Sequence, residues 1–229
     1  MFKNLKVISI IPAKKKSKGL KKKNLLKIKR YSLTELAILA SKKSKYIDET
    51  IVSTDSNNIK HHAHKMKCKT LKRPKNLCLD KTNANQVIKH VIDNLGISEN
   101  YYIVYLQPTS PFRNHIHINK AFEILKNKKS SNLLSVKEIN ENFYKSFTYN
   151  KFLKPNNPKL LNSNRQSLKK IFSANGAIYI FTKKNFLKSN KIPTNMLLPF
   201  FMNNFDSIDI NDQFDYELSL NFSKKLLYK

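Results

Sequence analysis

The chain has 229 residues, 40% of them hydrophobic, and carries 44 Lys and Arg against 15 Asp and Glu for a formal net charge of +29. That length and apolar content suit one α/β domain over residues 1–229. No run approaches 18 apolar residues and the apolar run behind Lys3 and Lys6 is too brief for a signal-peptide core, so a cytoplasmic protein without a membrane partner is expected. Charge this high points first to nucleic acid, but the lysines are spread over every segment beside abundant Asn and Ile, which fits biased residue usage better than a clustered footprint. Nucleic acid is therefore not expected as a partner. Cys68 and Cys78 match neither a disulfide framework nor a CxxC metal site and are expected as reduced thiols.

Residues 7–12 (VISIIP) read as a buried parallel strand that must turn out at Pro12. The loop that follows carries Lys14, Lys15, Lys16, Lys18, Lys21, Lys22 and Lys23 around the single Gly19. In an open α/β sheet ligands bind at the carboxyl ends of strands. Ammonium groups and free amides at that place suit a triphosphate, and the alternative is a solvated lysine loop. Apolar residues at helical spacing predict a helix over 32–43 with Ser32 as its cap, then a strand at 50–54 ending in Asp55, then a helix over 57–66. His61, His62 and His64 in that helix do not share one face, which favours surface histidines over a metal site.

Residues 70–73 read as a short connector stopped by Pro74, and 83–94 as a helix with Gly96 as its stop. The strand at 101–106 (YYIVYL) ends in the proline-bounded turn QPTSPFR. Helical spacing resumes from Ile116 to Leu125, and 132–136 is another strand, so the alternation indicates a mostly parallel sheet flanked by helices. Over 137–173 the period is lost. That segment is expected to leave the sheet as a hairpin arm, whose Phe143, Tyr144, Phe147, Tyr149 and Phe152 pack either on a partner subunit or on their own domain. NGAIYIF at 175–181 returns to strand, 193–199 is a bounded loop, 207–211 (SIDIN) is a short extended segment, and 214–227 closes the chain as a helix. In SIDIN, Asp209 alternates with Ile208 and Ile210 as in a strand, which places its carboxylate on the face opposite theirs.

In order and spacing, IPA, SKG, KN, IVSTD, RP, LQPTSPFR, RQ, NGAIYI and SIDI resemble the acylneuraminate cytidylyltransferase family over essentially the whole chain. The resemblance implies a Rossmann-like nucleotidyltransferase with a protruding dimerisation arm at 137–173, working as a homodimer. It implies transfer of CMP from CTP to a nine-carbon α-keto acid sugar, an N-acylneuraminate or the related legionaminate or pseudaminate, with loss of pyrophosphate and with Mg²⁺ as cofactor. Lys14, Lys23 and Asp209 match its catalytic residues. Ala13, Lys14, Ser17, Lys18, Gly19, Lys23, Asn24, Arg73 and Asn83 match its nucleotide contacts, and Gln107, Arg165, Asn175 and Tyr179 its sugar contacts. Asp209 and Asn211 match its metal pair. This chain departs from the family in Lys14, where Arg is common, in the lysines at 15, 16 and 21, and in Asn211, where a second carboxylate is usual. Asp212 and Asp215 stand nearby as further oxygen ligands. Two alternatives stay open: a 3-deoxy-octulosonate cytidylyltransferase, and a polyanion-binding descendant that has lost the chemistry.

Overall fold

The run VISIIP alternates its side chains to two buried faces, and in the computed structural model it forms the central strand β1, Val7–Pro12. The structure describes residues 1–139 and 141–223, without the side chains of Glu141, Asn142 and Arg165.

After the lysine loop and a 3₁₀ turn at Lys23–Leu25 come the short pair β2 (Lys27–Ile28) and β3 (Tyr31–Ser32), then α1 (Leu33–Lys42), β4 (Glu49–Thr54), α2 (Asn57–Lys65) and β5 (Lys69–Lys72). There follow α3 (Ala84–Asn94), β6 (Tyr102–Tyr105), α4 (His115–Lys126), β7 (Asn132–Ile139) and the hairpin β8 (Phe147–Asn150) with β9 (Phe152–Pro155). The last described elements are β10 (Ile171–Thr182), α5 (Lys183–Leu187), β11 (Leu197–Phe201) and α6 (Gln213–Phe222). Ser32 caps α1 in a capping box with Glu35, and Asn83 caps α3 in another with Gln86, so both helix starts follow from side chains that take up orphan amides.

Seven strands form one sheet in the order β11-β7-β10-β6-β1-β4-β5. Every neighbouring pair is parallel except the two made by β10, which runs against both β6 and β7. Val7 and Ile11 face a core shared with α1, α2 and α4, while Ile8 and Ile10 face the side covered by α3 and Phe186 of α5. A smaller cluster of Leu20, Ile28, Leu33, Leu36 and Ile210 pins the lysine loop to α1 and to the segment before α6. No helix among the described residues is long and apolar enough to cross a membrane.

Residues 69–72 are a parallel edge strand on β4, not a connector; Lys69 and Lys72 are solvent-facing, as edge strands commonly are. Residues 197–201 are likewise a strand, the other edge, which tolerates Pro199 because its missing N–H falls on the open side. The excursion expected over 137–173 contains the hairpin, but its two ends belong to β7 and β10, which pair as far as Ile139 and Ile171. SIDIN belongs to no strand; its backbone is tied to the turn after β6 by the Ile210 amide donating to the Thr109 carbonyl at 2.8 Å. The last helix is described to Phe222, and its expected end at Leu227 lies outside the described residues. With three glycines in the chain, several tight turns fall on lysine: Lys3, Lys22, Lys29, Lys67 and Lys151 all have positive φ.

Candidate active site

β1, β4 and β6 run parallel, so the segments leaving Pro12, Thr54 and Tyr105 converge at one edge of the sheet. Between them lies a cleft of about 520 Å³ lined by Lys14, Ser17, Lys18, Gly19, Lys23, Asn24, Arg73, Asn83, Gln107, Asp209 and Asn211. Ala13 lies beneath it, fully buried, with its amide donating to the Ser53 carbonyl. A second cleft of about 500 Å³ lies beyond, lined by Gln107, Asn175, Gly176, Tyr179, Ser207, Asp209 and Asn211. Gln107, Asp209 and Asn211 belong to both, forming a common wall. A further cavity of about 840 Å³ near the 188–197 loop is lined by Asn83 and Tyr179 but by none of the loop lysines and not by Asp209.

The lysine loop is tied at several points. Asn24, buried, donates from Nδ2 to the Lys14 carbonyl at 2.8 Å and accepts from Thr34 Oγ1 on α1, and the Lys15 amide donates to Asp55 Oδ1 at 2.6 Å. Lys14 Nζ lies 2.9 Å from Asp80 Oδ1. Lys23 Nζ donates to the Ile210 and Asn211 carbonyls at 2.9 and 3.1 Å, clasping the loop to the segment that carries Asp209. Burial lowers the Lys23 ammonium below its ordinary value, against the pull of Asp209, Asp215 and Asp212. Gly19 stands where any Cβ would meet the Asn211 carbonyl oxygen at 2.6 Å. The absent side chain thus permits backbone approach within the protein itself.

Arg73 is almost fully buried and donates from Nε to Ser53 Oγ and from one terminal nitrogen to the Ser53 carbonyl, which plants it against β4 at the cleft's rim. Asn83 reaches the same rim but spends its side-chain oxygen on the Gln86 amide as the cap of α3. Gln107 is positioned from across the clefts: Gly176, at φ +77°, has no Cβ where one would lie 2.6 Å from Gln107 Oε1. Tyr179 lines the second cleft, its phenol pushed up in pKa by burial and by the Asp209 charge.

Asn175 is more deeply committed than a surface contact would be. Its Oδ1 accepts from Ser135 Oγ at 2.6 Å and from the Ala177 amide, and its Nδ2 donates to Ser207 Oγ at 2.9 Å. It knots β7, β10 and the stretch leading to Asp209. Arg165 opens a 3₁₀ turn at Arg165–Ser167, and its side chain lies outside the described residues.

Asp209 Oδ2 accepts from Asn211 Nδ2 at 3.1 Å, while Asp209 Oδ1 is buried with no hydrogen-bond partner. A buried carboxylate oxygen left without a donor is costly unless a cation meets it, and Asn211, donating through nitrogen, keeps its amide oxygen available. This donor set fits a hard cation that completes its shell with phosphate oxygens. Asp212 and Asp215 are otherwise engaged: Asp212 Oδ1 accepts from the Asp215 amide and Asp215 Oδ2 from the Asn211 amide, the capping of α6. Among the described residues no three His, Cys, Asp or Glu side chains gather as a metal site.

Sequence reasoning passed over Asp80, Tyr105 and Thr109, which line the first cleft. Tyr105 and Thr109 could have been found from their place at the end of β6, whereas nothing in the sequence pairs Asp80 with Lys14.

Residues 8–225 match the family model described as cytidylyltransferase. The chain is 30% identical to the N-acylneuraminate cytidylyltransferase of Escherichia coli O18:K1:H7, a match covering 96% of this chain and 52% of that protein, so this chain spans about half its length. It is 28% identical to the CMP-N,N'-diacetyllegionaminic acid synthase of Legionella pneumophila, over 94% of this chain and 95% of that one. In fold it is similar to a CMP:2-keto-3-deoxy-manno-octonic acid synthetase solved with CTP, with a TM-score of 0.73 at 13% identity, covering 96% of this chain and all of that one. A family match across both clefts, the lysine loop and the Asp209 segment leads to one conclusion: the chain belongs to the cytidylyltransferase family.

Proposed function

We propose that this protein transfers CMP from CTP to a nine-carbon α-keto acid sugar of the acylneuraminate, legionaminate or pseudaminate kind, releasing pyrophosphate. The observation that carries this reading is the common wall: two clefts of about 520 and 500 Å³ meet at Gln107, Asp209 and Asn211, as a two-substrate transfer requires. In it, the triphosphate lies along Lys14, Ser17, Lys18 and Lys23 and the base near Arg73, and the sugar acid fills the cleft of Asn175 and Tyr179. The anomeric hydroxyl of the sugar attacks the α-phosphorus across the wall, its proton passing to solvent water as the bond to pyrophosphate breaks. The lysines offset charge gathering on the leaving oxygens. Asp209 and the Asn211 amide oxygen would hold Mg²⁺, which when bound neutralises phosphate charge and polarises the reacting phosphorus.

The octulosonate alternative is less well supported, because the sequence relatives above are named for nine-carbon sugars and the octonic acid synthetase shares only the fold. We also propose that the protein works as a homodimer in the cytoplasm, where CTP is made. The dimer is supported by the hairpin, on which Tyr149 and Phe152 are 77% and 76% exposed, apolar surface that a second copy would cover.

Pyrophosphate release from CTP, Mg²⁺ and a panel of nonulosonic acids, beside an Asp209→Ala control, tests the reading. Turnover on one sugar that disappears in the control is expected. A folded protein inert towards the whole panel would sink it.

A further inference from the structure

The second cleft contains one lysine or arginine among the described residues, Lys137 on β7. Side chains alternate along a strand, so Lys137 shares a face with Ser135, whose hydroxyl donates to Asn175 Oδ1 in the same cleft. The next residue, Glu138, points the other way and takes the ammonium of Lys170. Lys137 itself makes no ion pair or side-chain hydrogen bond among the described residues. The carboxylates around it are differently placed: Asp215 is spent on the α6 cap and Asp209 lies on the wall shared with the nucleotide cleft. The cleft thus holds one uncommitted cation at its β7 side and its anionic groups at the other.

An α-keto acid sugar brings its own anion into this arrangement. Its carboxylate is attached to the carbon that bears the reacting hydroxyl, so it cannot be kept outside the cleft while that hydroxyl reaches the wall. There it would lie near the Asp209 charge and the phosphates, whose counter-charges, the loop lysines and the proposed cation, are already engaged by them. We propose that Lys137 binds the carboxylate of the sugar acid and makes the cleft selective for acids over neutral sugars. This rests on the reading that the second cleft takes an α-keto acid sugar. The ammonium would stand on the same strand and in the same subunit as Ser135, so it would be pre-positioned by the sheet rather than by a mobile segment.

The experiment is steady-state pyrophosphate release with CTP and N-acetylneuraminate, or whichever nonulosonic acid the wild type accepts, for the wild type, Lys137→Met, Lys137→Gln and Lys137→Arg. The free acid is compared with its methyl ester. Loss of one charge-assisted hydrogen bond predicts a ~10- to 100-fold rise in KM for the acid in Lys137→Met and Lys137→Gln. The KM for CTP should stay within about twofold, since Lys137 is outside the nucleotide cleft, and Lys137→Arg should restore most of the affinity. Wild type should prefer acid to ester, and Lys137→Met should treat them alike. An unchanged KM for the acid, an equal rise for CTP, or an ester preference identical to wild type would overturn the assignment and leave the proposed reaction standing. Absence of turnover by the wild type on every nonulosonic acid would instead remove the reading beneath it, and the assignment with it.

Discussion

Gly19→Ala tests whether the lysine loop and the Asp209 segment act as one unit. The new methyl would sit 2.6 Å from the Asn211 carbonyl oxygen, where ordinary contact begins at 3.4 Å, so loop and segment must part by about 0.8 Å. The obstacle is backbone, which cannot rotate aside as a side chain would. Unless the Lys23 side chain follows, that displacement takes its two hydrogen bonds, at 2.9 and 3.1 Å, past useful length. Overpacking of this size costs ~1–3 kcal/mol, and for a chain this long each kcal/mol lowers Tm by about 2–4 °C. In the proposed reaction catalysis should suffer more, because moving Asp209 against the lysine loop by nearly an ångström costs on the order of 100-fold. Differential scanning fluorimetry reads the first quantity and pyrophosphate release at saturating CTP and sugar acid the second. A variant with wild-type Tm and kcat would show that the loop yields freely and that its packing on Asn211 imposes nothing.

Asn175→Ala removes the acceptor for Ser135 and the donor to Ser207, leaving two buried hydroxyls short of a partner, and should destabilise by ~2–3 kcal/mol in urea unfolding; an unchanged midpoint would deny the knot a structural role. Asp80→Asn frees the Lys14 ammonium from its carboxylate and should lower the KM for CTP ~2- to 5-fold, the scale of a surface ion pair. No change would mean that CTP does not compete with this contact. Burial pushes the Glu35 carboxyl up, but hydrogen bonds from His62 and Ser32 outweigh it and hold the pKa below its ordinary 4.5. Its contribution to stability is therefore intact above about pH 4.5 and lost as pH falls through the lowered value. Thermal midpoints from pH 3 to 7 should show a smaller acid decline in Glu35→Gln, and parallel curves would contradict this.

Where local chemistry decides the structure, the sequence was readable. Ser32 announced its helix because a cap needs only itself and the three residues after it, and Asn83 offered the same signal with Gln86. VISIIP and YYIVYL declared central strands because both faces are buried. The two edge strands escaped notice for the opposite reason. KTLK is half solvated, and LLPFF contains a proline that only an open edge admits, so neither pattern could be told from loop without its neighbour. SIDIN alternates like a strand, yet Ile210 is buried by contacts with Leu20, Ile28, Leu33 and Leu36 rather than by a ladder.

The site shows the same division. The loop lysines and Gln107 were legible at the carboxyl ends of strands, Arg73 and Asp209 through the family resemblance, and the structure brings all of them to one cleft. Two features required three dimensions: the use of Gly19 against a carbonyl 192 positions away in the chain, and the commitment of Asp212 and Asp215 to a helix cap. Both depend on what the backbone of residues 209–213 does, and no short-range rule fixes that.

The lysines at positive φ have a consequence for how this protein can change. A left-handed L-residue costs roughly 1–2 kcal/mol relative to its relaxed backbone, and Lys3, Lys22, Lys29, Lys67 and Lys151 each bear such a cost. Residue usage weighted towards lysine has thus been met with conformational strain distributed over turns rather than with altered topology. Lys29→Gly, Lys67→Gly and Lys151→Gly are therefore a short route to a hardier enzyme: each lies outside both clefts, and each exchanges strain in the folded chain for a residue that accepts the turn.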